Sequence, residues 1–166
     1  VERVVVSQLI RSAGVFFTSE IHRGSDRRHY GAKIIPNRGA WLEFETDENN
    51  CIWVKIDRKR KVAVTSLLRA FGYGGEEELQ PLFAKVDTDP DLRHIEATLA
   101  KDLAKNEEEG LVEIYKRIRP GDLATPDNAR SLITDMFFWF DRYDLGRVGR
   151  HKMNLRFDLD FSTKTK

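Results

Sequence analysis

Residues 39–61 read GAWLEFETDENNCIWVKIDRKRK, and the alternation inside them decides how the chain folds. Leu42 and Phe44 alternate with Trp41, Glu43 and Glu45; Ile52, Val54 and Ile56 alternate with Trp53, Lys55 and Asp57. Period two in two short runs, joined by Asp47-Glu48-Asn49-Asn50, predicts a β-hairpin. Burial sets its register, because a slip of one residue would turn the apolar set to the wrong face. Pairing Phe44 with Val54 and Leu42 with Ile56 keeps the apolar face whole. That register needs an odd loop of about five residues and places Glu43 opposite Lys55, a favourable cross-strand pair. It also puts Trp41 opposite Asp57 on the polar face, beside Arg58, Lys59, Arg60 and Lys61. A tryptophan on the polar side of a hairpin, next to four cations, is unusual for a pure scaffold.

Working outward, 166 residues with 40% apolar and 33% charged content suit one globular domain with a real core. A net charge of +1 exerts no global pull on nucleic acid, so any such binding must be local. The single cysteine, Cys51, excludes an internal disulfide framework and is compatible with a reducing cytoplasm. No apolar run approaches the roughly 18 residues of a membrane span. The opening VERVVVSQL lacks a methionine and a signal-peptide pattern, and reads as mid-strand in a piece cut from something longer.

Before the hairpin, Arg3 to Leu9 is a β-branched run expected to form a strand, either buried on both faces or paired with a partner outside the chain. Ser12-Ala13-Gly14 turns it, Val15-Phe16-Phe17 resumes extended structure, and Thr18 to Arg28 reads as an exposed polar loop. Tyr30 to Ile35 is a further strand, stopped by Pro36-Asn37-Arg38-Gly39. After the hairpin the period becomes helical. Val64, Leu67, Leu68 and Phe71 share a face, with Thr65 or Ser66 near the start and Gly72, Gly74 and Gly75 at the end. Glu76 to Phe83 is a short helix. Asp89-Pro90 opens the next, with Leu92, Ile95, Leu99 and Leu103 inward. Asn106 caps another that begins Glu107-Glu108-Glu109 and carries Leu111, Ile114, Tyr115 and Ile118. Thr125-Pro126 starts a further one with Ala129, Leu132, Ile133, Met136 and Phe137 inward. A last segment holds Val148 and Leu155, and the tail from Asp158 is polar and loose. Strands first and helices after predict an α+β fold: a small antiparallel sheet around the hairpin, packed with a C-terminal set of about five to six helices.

The chain offers little chemistry. His22, His29, His94 and His151 show no ligand spacing with one another or with Cys51. Gly72-Tyr73-Gly74-Gly75 follows a helix, so it is a cap and not a phosphate loop. No serine, cysteine or lysine sits in a motif with a base. Glu43 and Glu45 share a strand face, but Lys55 answers the first of them. No catalytic residue and no metal site is expected. What stands out is the run Arg58 to Lys61 beside Trp41, with Arg11 and Arg38 available: cations hold phosphates and an exposed ring stacks on a base.

Several strings resemble the β subunit of bacterial DNA-directed RNA polymerase. They are VERVVVSQLIRSAGVFF at 1–17, IIPNRGAWLEFE at 34–45, WVKIDRKRKVAVTSLLRAFGY at 53–73, EIYKRIRPGDLATPDNARSL at 113–132 and DRYDLGRVGRHKMN at 141–154. The resemblance covers nearly the whole chain in order. It implies a lobe domain over 12–157, a strand at 1–11 that belongs to the adjoining protrusion, and a loose tail at 158–166. It further implies a bacterial, cytoplasmic nucleotidyltransferase that polymerises ribonucleotides on DNA. The Mg site of that enzyme lies in the β′ subunit, so this piece should hold no cofactor and be inactive alone. The implied partners are DNA, the β′ and α subunits, sigma factor and transcription factors. In such a lobe, Trp41 would stack on a non-template base near the start site, with Arg11, Asp57 and Arg58 beside that strand and Lys59, Arg60 and Lys61 extending the basic rim. Arg3, Val6 and Gln8 would border the rifamycin pocket. The chain departs from the family pattern at Ile10 and Ala13, lacks a long insertion between Phe83 and Asp87, has Ala100 and Lys101 where an arginine is common, and is more aromatic at Trp139-Phe140. The rival reading is a protein-docking module with little DNA binding of its own; nothing supports a stand-alone hydrolase.

Overall fold

The computed structural model describes residues 1–21, 24 and 26–164. Five antiparallel strands form one sheet in sequence order: β1 (Gly14–Ile21), β2 (Arg28–Ile35), β3 (Leu42–Thr46), β4 (Ile52–Ile56) and β5 (Val62–Ala63). Six helices follow: α1 (Val64–Ala70), α2 (Glu76–Phe83), α3 (His94–Lys101), α4 (Glu107–Ile118), α5 (Pro126–Ile133) and α6 (Gly146–Phe157), with a π-helical turn at Thr134–Phe138 between the last two. This is the α+β arrangement that the order of elements in the sequence predicts.

The hairpin register is the one that burial demands. Leu42 pairs with Ile56, Glu43 with Lys55 and Phe44 with Val54, and the five residues Asp47 to Cys51 connect the strands. Leu42, Val54 and Ile56 are buried together with Val62, Leu67, Leu111, Ile114, Tyr115, Ala129 and Ile133 in the main core. The sheet thus lays one face on α1, α4 and α5 and leaves the other polar. Leu79, Ile95 and Leu99 form a second, smaller core under α2 and α3.

Several expectations are corrected. Residues 1–12 lie outside the sheet, which β1 ends, and Val4, Val5 and Val6 are almost fully exposed, so this run is not buried on both faces by the described residues. Thr18 to Ile21 continue β1, and Arg28 and His29 open β2, so the loop between them is shorter than expected; residues 22, 23 and 25 of that loop, His22 included, lie outside the described residues. Polar side chains on both sides of those strands hide the alternation. The third helix starts at His94, where Asp87 accepts from the backbone N–H groups of His94 and Ile95; the Asp89-Pro90 stretch is a turn, and Leu92 and Leu103 are exposed. Val148 and Leu155 on α6 are exposed as well. From Asp158 to Lys164 no helix or strand forms, but Asn154 holds the segment, its carbonyl accepting from Leu159 N and its Nδ2 donating to the Phe161 carbonyl.

The caps read from the sequence hold at α4 and α5, where Asn106 accepts from Glu109 N at 2.9 Å and Thr125 from Asn128 N at 3.3 Å. At α1 no side chain caps the start. Thr65 and Ser66 are buried and donate instead to the carboxylate of Asp102, which also accepts from Ala104 N at 3.0 Å. Arg69, fully buried, lies 3.5 Å from the same carboxylate through Nε and donates to the carbonyls of Gly74 and Lys105. Gly110 lets α4 approach this layer, since a Cβ there would stand 2.9 Å from Arg69 Cβ and from the Ser66 carbonyl oxygen. Removing one partner from a buried ion pair costs more than the pair itself contributes. Asp102→Ala should therefore lower the unfolding free energy by about 3–5 kcal/mol in a urea titration; a loss under about 1 kcal/mol would mean the layer is dispensable.

Candidate nucleic-acid interface

The hairpin's end builds the site. Trp41 precedes β3, and its carbonyl accepts from Asp57 N at 2.8 Å, which extends the ladder by one pair and settles Trp41 on the polar side. Strand β4 then reverses into β5 through Asp57 and Arg58, whose φ values are 48° and 60°, closed by Lys59 N donating to the Ile56 carbonyl at 3.0 Å. Two consecutive positive φ values across such a bond are the pattern of a tight turn that suits twisted strands. Aspartate tolerates this conformation; arginine, carrying a full side chain, is strained by it. The consequence is placement: the Arg58 guanidinium lies over the Trp41 ring, 5.0 Å from its centroid. The indole is half-buried and outside the main core, with one face under a cation.

A second aromatic–cation pair lies on the same sheet face. Lys61 Nζ stands 5.1 Å from the Trp53 ring centroid and 3.7 Å from Glu45 Oε1. Trp53 Nε1 donates to Asp47 Oδ2 at 2.7 Å. Period two puts Trp53 on the same face as Trp41, two pairs of that face nearer the loop, so the sequence contained the signal for it. Burial alone would push the Asp47 carboxyl up, but donation from Trp53 and from the N–H groups of Cys51 and Asn49, together with nearby Lys61, brings it below its ordinary value.

The expected site residues divide into groups. Arg58 joins Trp41, and Lys61 joins Trp53. Lys59 and Arg60 are exposed and make no ion pair or ring contact among the described residues. Asp57 contributes its backbone N–H; its carboxylate pairs with no arginine among the described residues. Arg11 does not stack on Trp41: its guanidinium lies 5.8 Å from the Phe16 centroid, next to α6. Arg38 lies 5.8 Å from the Phe140 centroid and bridges by its backbone to Asp144. The Glu43–Lys55 pair is also corrected: Lys55 reaches diagonally to Glu45 at 2.6 Å, and Glu43 meets Lys33 of β2 at 3.4 Å. Arg3, Val6 and Gln8 lie in the exposed segment ahead of β1. Among the described residues no three His, Cys, Asp or Glu side chains gather as a metal site, and no helix is long and apolar enough to cross a membrane.

The polar sheet face thus carries two tryptophans, each with a cation over its ring, and exposed basic residues at its rim. The family profile "RNA polymerase Rpb2, domain 2" matches residues 11–166, and the chain belongs to that family. It is 49% identical over 159 residues to the DNA-directed RNA polymerase subunit beta of Dehalococcoides mccartyi, with 95% of this chain and 12% of that protein covered. For the same subunit of Clostridium botulinum the identity is 48% over 159 residues, covering 96% and 12%. For Chloroflexus aggregans it is 50% over 173 aligned residues, covering 92% and 14%. The chain thus spans 12–14% of the length of these relatives.

Because folding lowers the Asp47 carboxyl below its unfolded value, its contribution is complete above the unfolded pKa of about 3.9 and is lost as pH falls through the lower folded value. Asp47→Asn should lower stability at pH 7 by about 1 kcal/mol and flatten the decline in the urea midpoint below about pH 4. An unchanged decline in the variant would show that Asp47 is not held by Trp53.

Proposed function

We propose that the chain is the lobe of a bacterial DNA-directed RNA polymerase β subunit, one jaw of the DNA cleft, where it contacts non-template and downstream DNA. On this reading the chain is not catalytic by itself. It serves a cytoplasmic nucleotidyltransferase whose Mg site lies in β′, and it works alongside the β′ and α subunits and sigma factor. The observation that carries the proposal is the indole of Trp41, outside the core and capped on one face by Arg58, in a chain whose family relatives are polymerase β subunits. Mechanistically, Trp41 offers a flat surface to an unpaired base, and stacking of this kind contributes about 1–3 kcal/mol per base. Arg58 orients the ring and screens the adjoining phosphate. Lys59 and Arg60, which make no ion pair among the described residues, hold neighbouring phosphates, while Lys61 remains with Glu45 and Trp53. Arg3, Val6 and Gln8, in the exposed segment before β1, would meet the neighbouring protrusion at the edge of an antibiotic pocket.

A second reading, a docking module for transcription factors, draws on the exposed Phe138, Trp139 and Phe140 after α5. Titrating a labelled single-stranded oligonucleotide with the chain at low salt separates the two. Weak, salt-sensitive binding is expected, reduced on the order of five- to tenfold by Trp41→Ala with unchanged circular dichroism. Absence of binding, or a Trp41→Ala variant that unfolds because the ring is core, would refute the stacking role.

A further inference from the structure

The net charge of +1 conceals a segregation of charge. Helix α6, GRVGRHKMNLRF, holds Arg147, Arg150, His151, Lys152 and Arg156 and no acidic residue in its 12 positions. It packs on β1 through its cations: Lys152 Nζ lies 5.8 Å from the Phe16 centroid and donates to Ser12 Oγ at 2.8 Å, and Arg156 lies 5.0 Å from the Phe17 centroid. Arg11 stacks on Phe16 as well, so one ring is shared by a cation from the N-terminal segment and one from α6. Between these two elements runs a groove of about 410 Å³ lined by Arg11, Ser12, Asn37, Asp144, Arg147 and Val148, among others. Its one acid, Asp144, is buried and already used: Oδ1 accepts from Gly146 N at 2.9 Å and faces Arg150 at 3.5 Å. Arg147 is exposed and makes no ion pair among the described residues. Asp158 and Asp160 follow the far end of the helix, away from the groove.

We infer that α6 is a second nucleic-acid contact that extends the one the resemblance implies for Arg11: the groove seats a backbone phosphate between Arg11 and Arg147, and Lys152 and Arg156 continue the track along the helix. The ligand class is set by chemistry: two arginines line the groove, guanidinium groups pair well with phosphate oxygens, and a helix with cations and no acids is the electrostatic footprint of a polyanion. The inference shares its ligand class with the proposed function, but it uses none of the residues around Trp41. Phosphate neutralisation carries no base preference and shows itself in the salt slope.

The test follows anisotropy of a labelled single-stranded oligonucleotide across a salt series, for the chain and for Arg147→Glu, Arg11→Ala, Trp41→Ala and Arg119→Glu. The last alters an exposed cation at the end of α4, away from the groove. Arg11→Ala should lower the slope of log affinity against log salt by about 0.7, Arg147→Glu by at least as much, and neither should change base preference. Trp41→Ala should leave the slope intact, so the stacking proposal and this one fail separately. A groove variant with an unchanged slope, or an Arg119→Glu variant with an equal effect, would overturn the inference. So would displacement of the DNA by polyglutamate at equal charge, which would make the surface an acidic-protein site. A photo-crosslinker at position 147 of the full-length β subunit, within assembled polymerase, provides the second readout: labelled DNA supports the contact, and labelled protein alone contradicts it.

Discussion

The structure depends on the backbone reversal at Asp57 and Arg58. Two successive left-handed residues, one of them an arginine, end β4 and return the chain as β5. Without that reversal Val62 could not pair with Val54 and enter the core, and α1, which follows β5 directly, would leave the sheet at another angle. A strained arginine costs of order 1–3 kcal/mol. Stacking on Trp41 returns about 0.5–1 kcal/mol, so the rest must come from burial of Ile56 and Val62 on either side of the turn. The same turn therefore closes the sheet and sets a cation over the one aromatic ring that the hairpin presents at its open end.

From there the constraint passes to the helices. β5 delivers Thr65, Ser66 and Arg69 into a buried polar layer around Asp102, and Gly110 admits α4 against it. This layer ties α1 to the segment between α3 and α4. Buried charge of this kind adds little net stability but is costly to disrupt, so it fixes the relative placement of the elements more than it strengthens them.

The hairpin and its register were legible because burial on one face permits a single pairing of Leu42, Phe44, Val54 and Ile56. The caps at Asn106 and Thr125 were legible because their chemistry is local. Thr65 and Ser66 were legible only as residues near the start of α1, since their partner, Asp102, is 36 or 37 residues away, beyond any local pattern. The valines at 4–6 carry strand propensity, but a strand needs a neighbour to pair with, which propensity does not supply. The basic run at 58–61 was visible as a string. The acid-free α6 is less legible as a string, since its cations are spread through a helix and share the Phe16 ring with Arg11 only after β1 and α6 pack together. The pairing of Lys55 with Glu45 in place of Glu43 reflects diagonal reach across strands, which register alone does not decide.

The groups proposed for recognition lie on or beside regular elements: Trp41 just before β3, Arg58 in a closed turn and Arg147 in the first turn of α6. The most direct measurement places 2-aminopurine in a single-stranded oligonucleotide and follows its fluorescence as the chain is added. A base stacked on Trp41 should be quenched, with the quenching lost in Trp41→Ala and retained in Trp53→Phe. Equal quenching by the Trp41→Ala chain would contradict the claim that this indole receives the base.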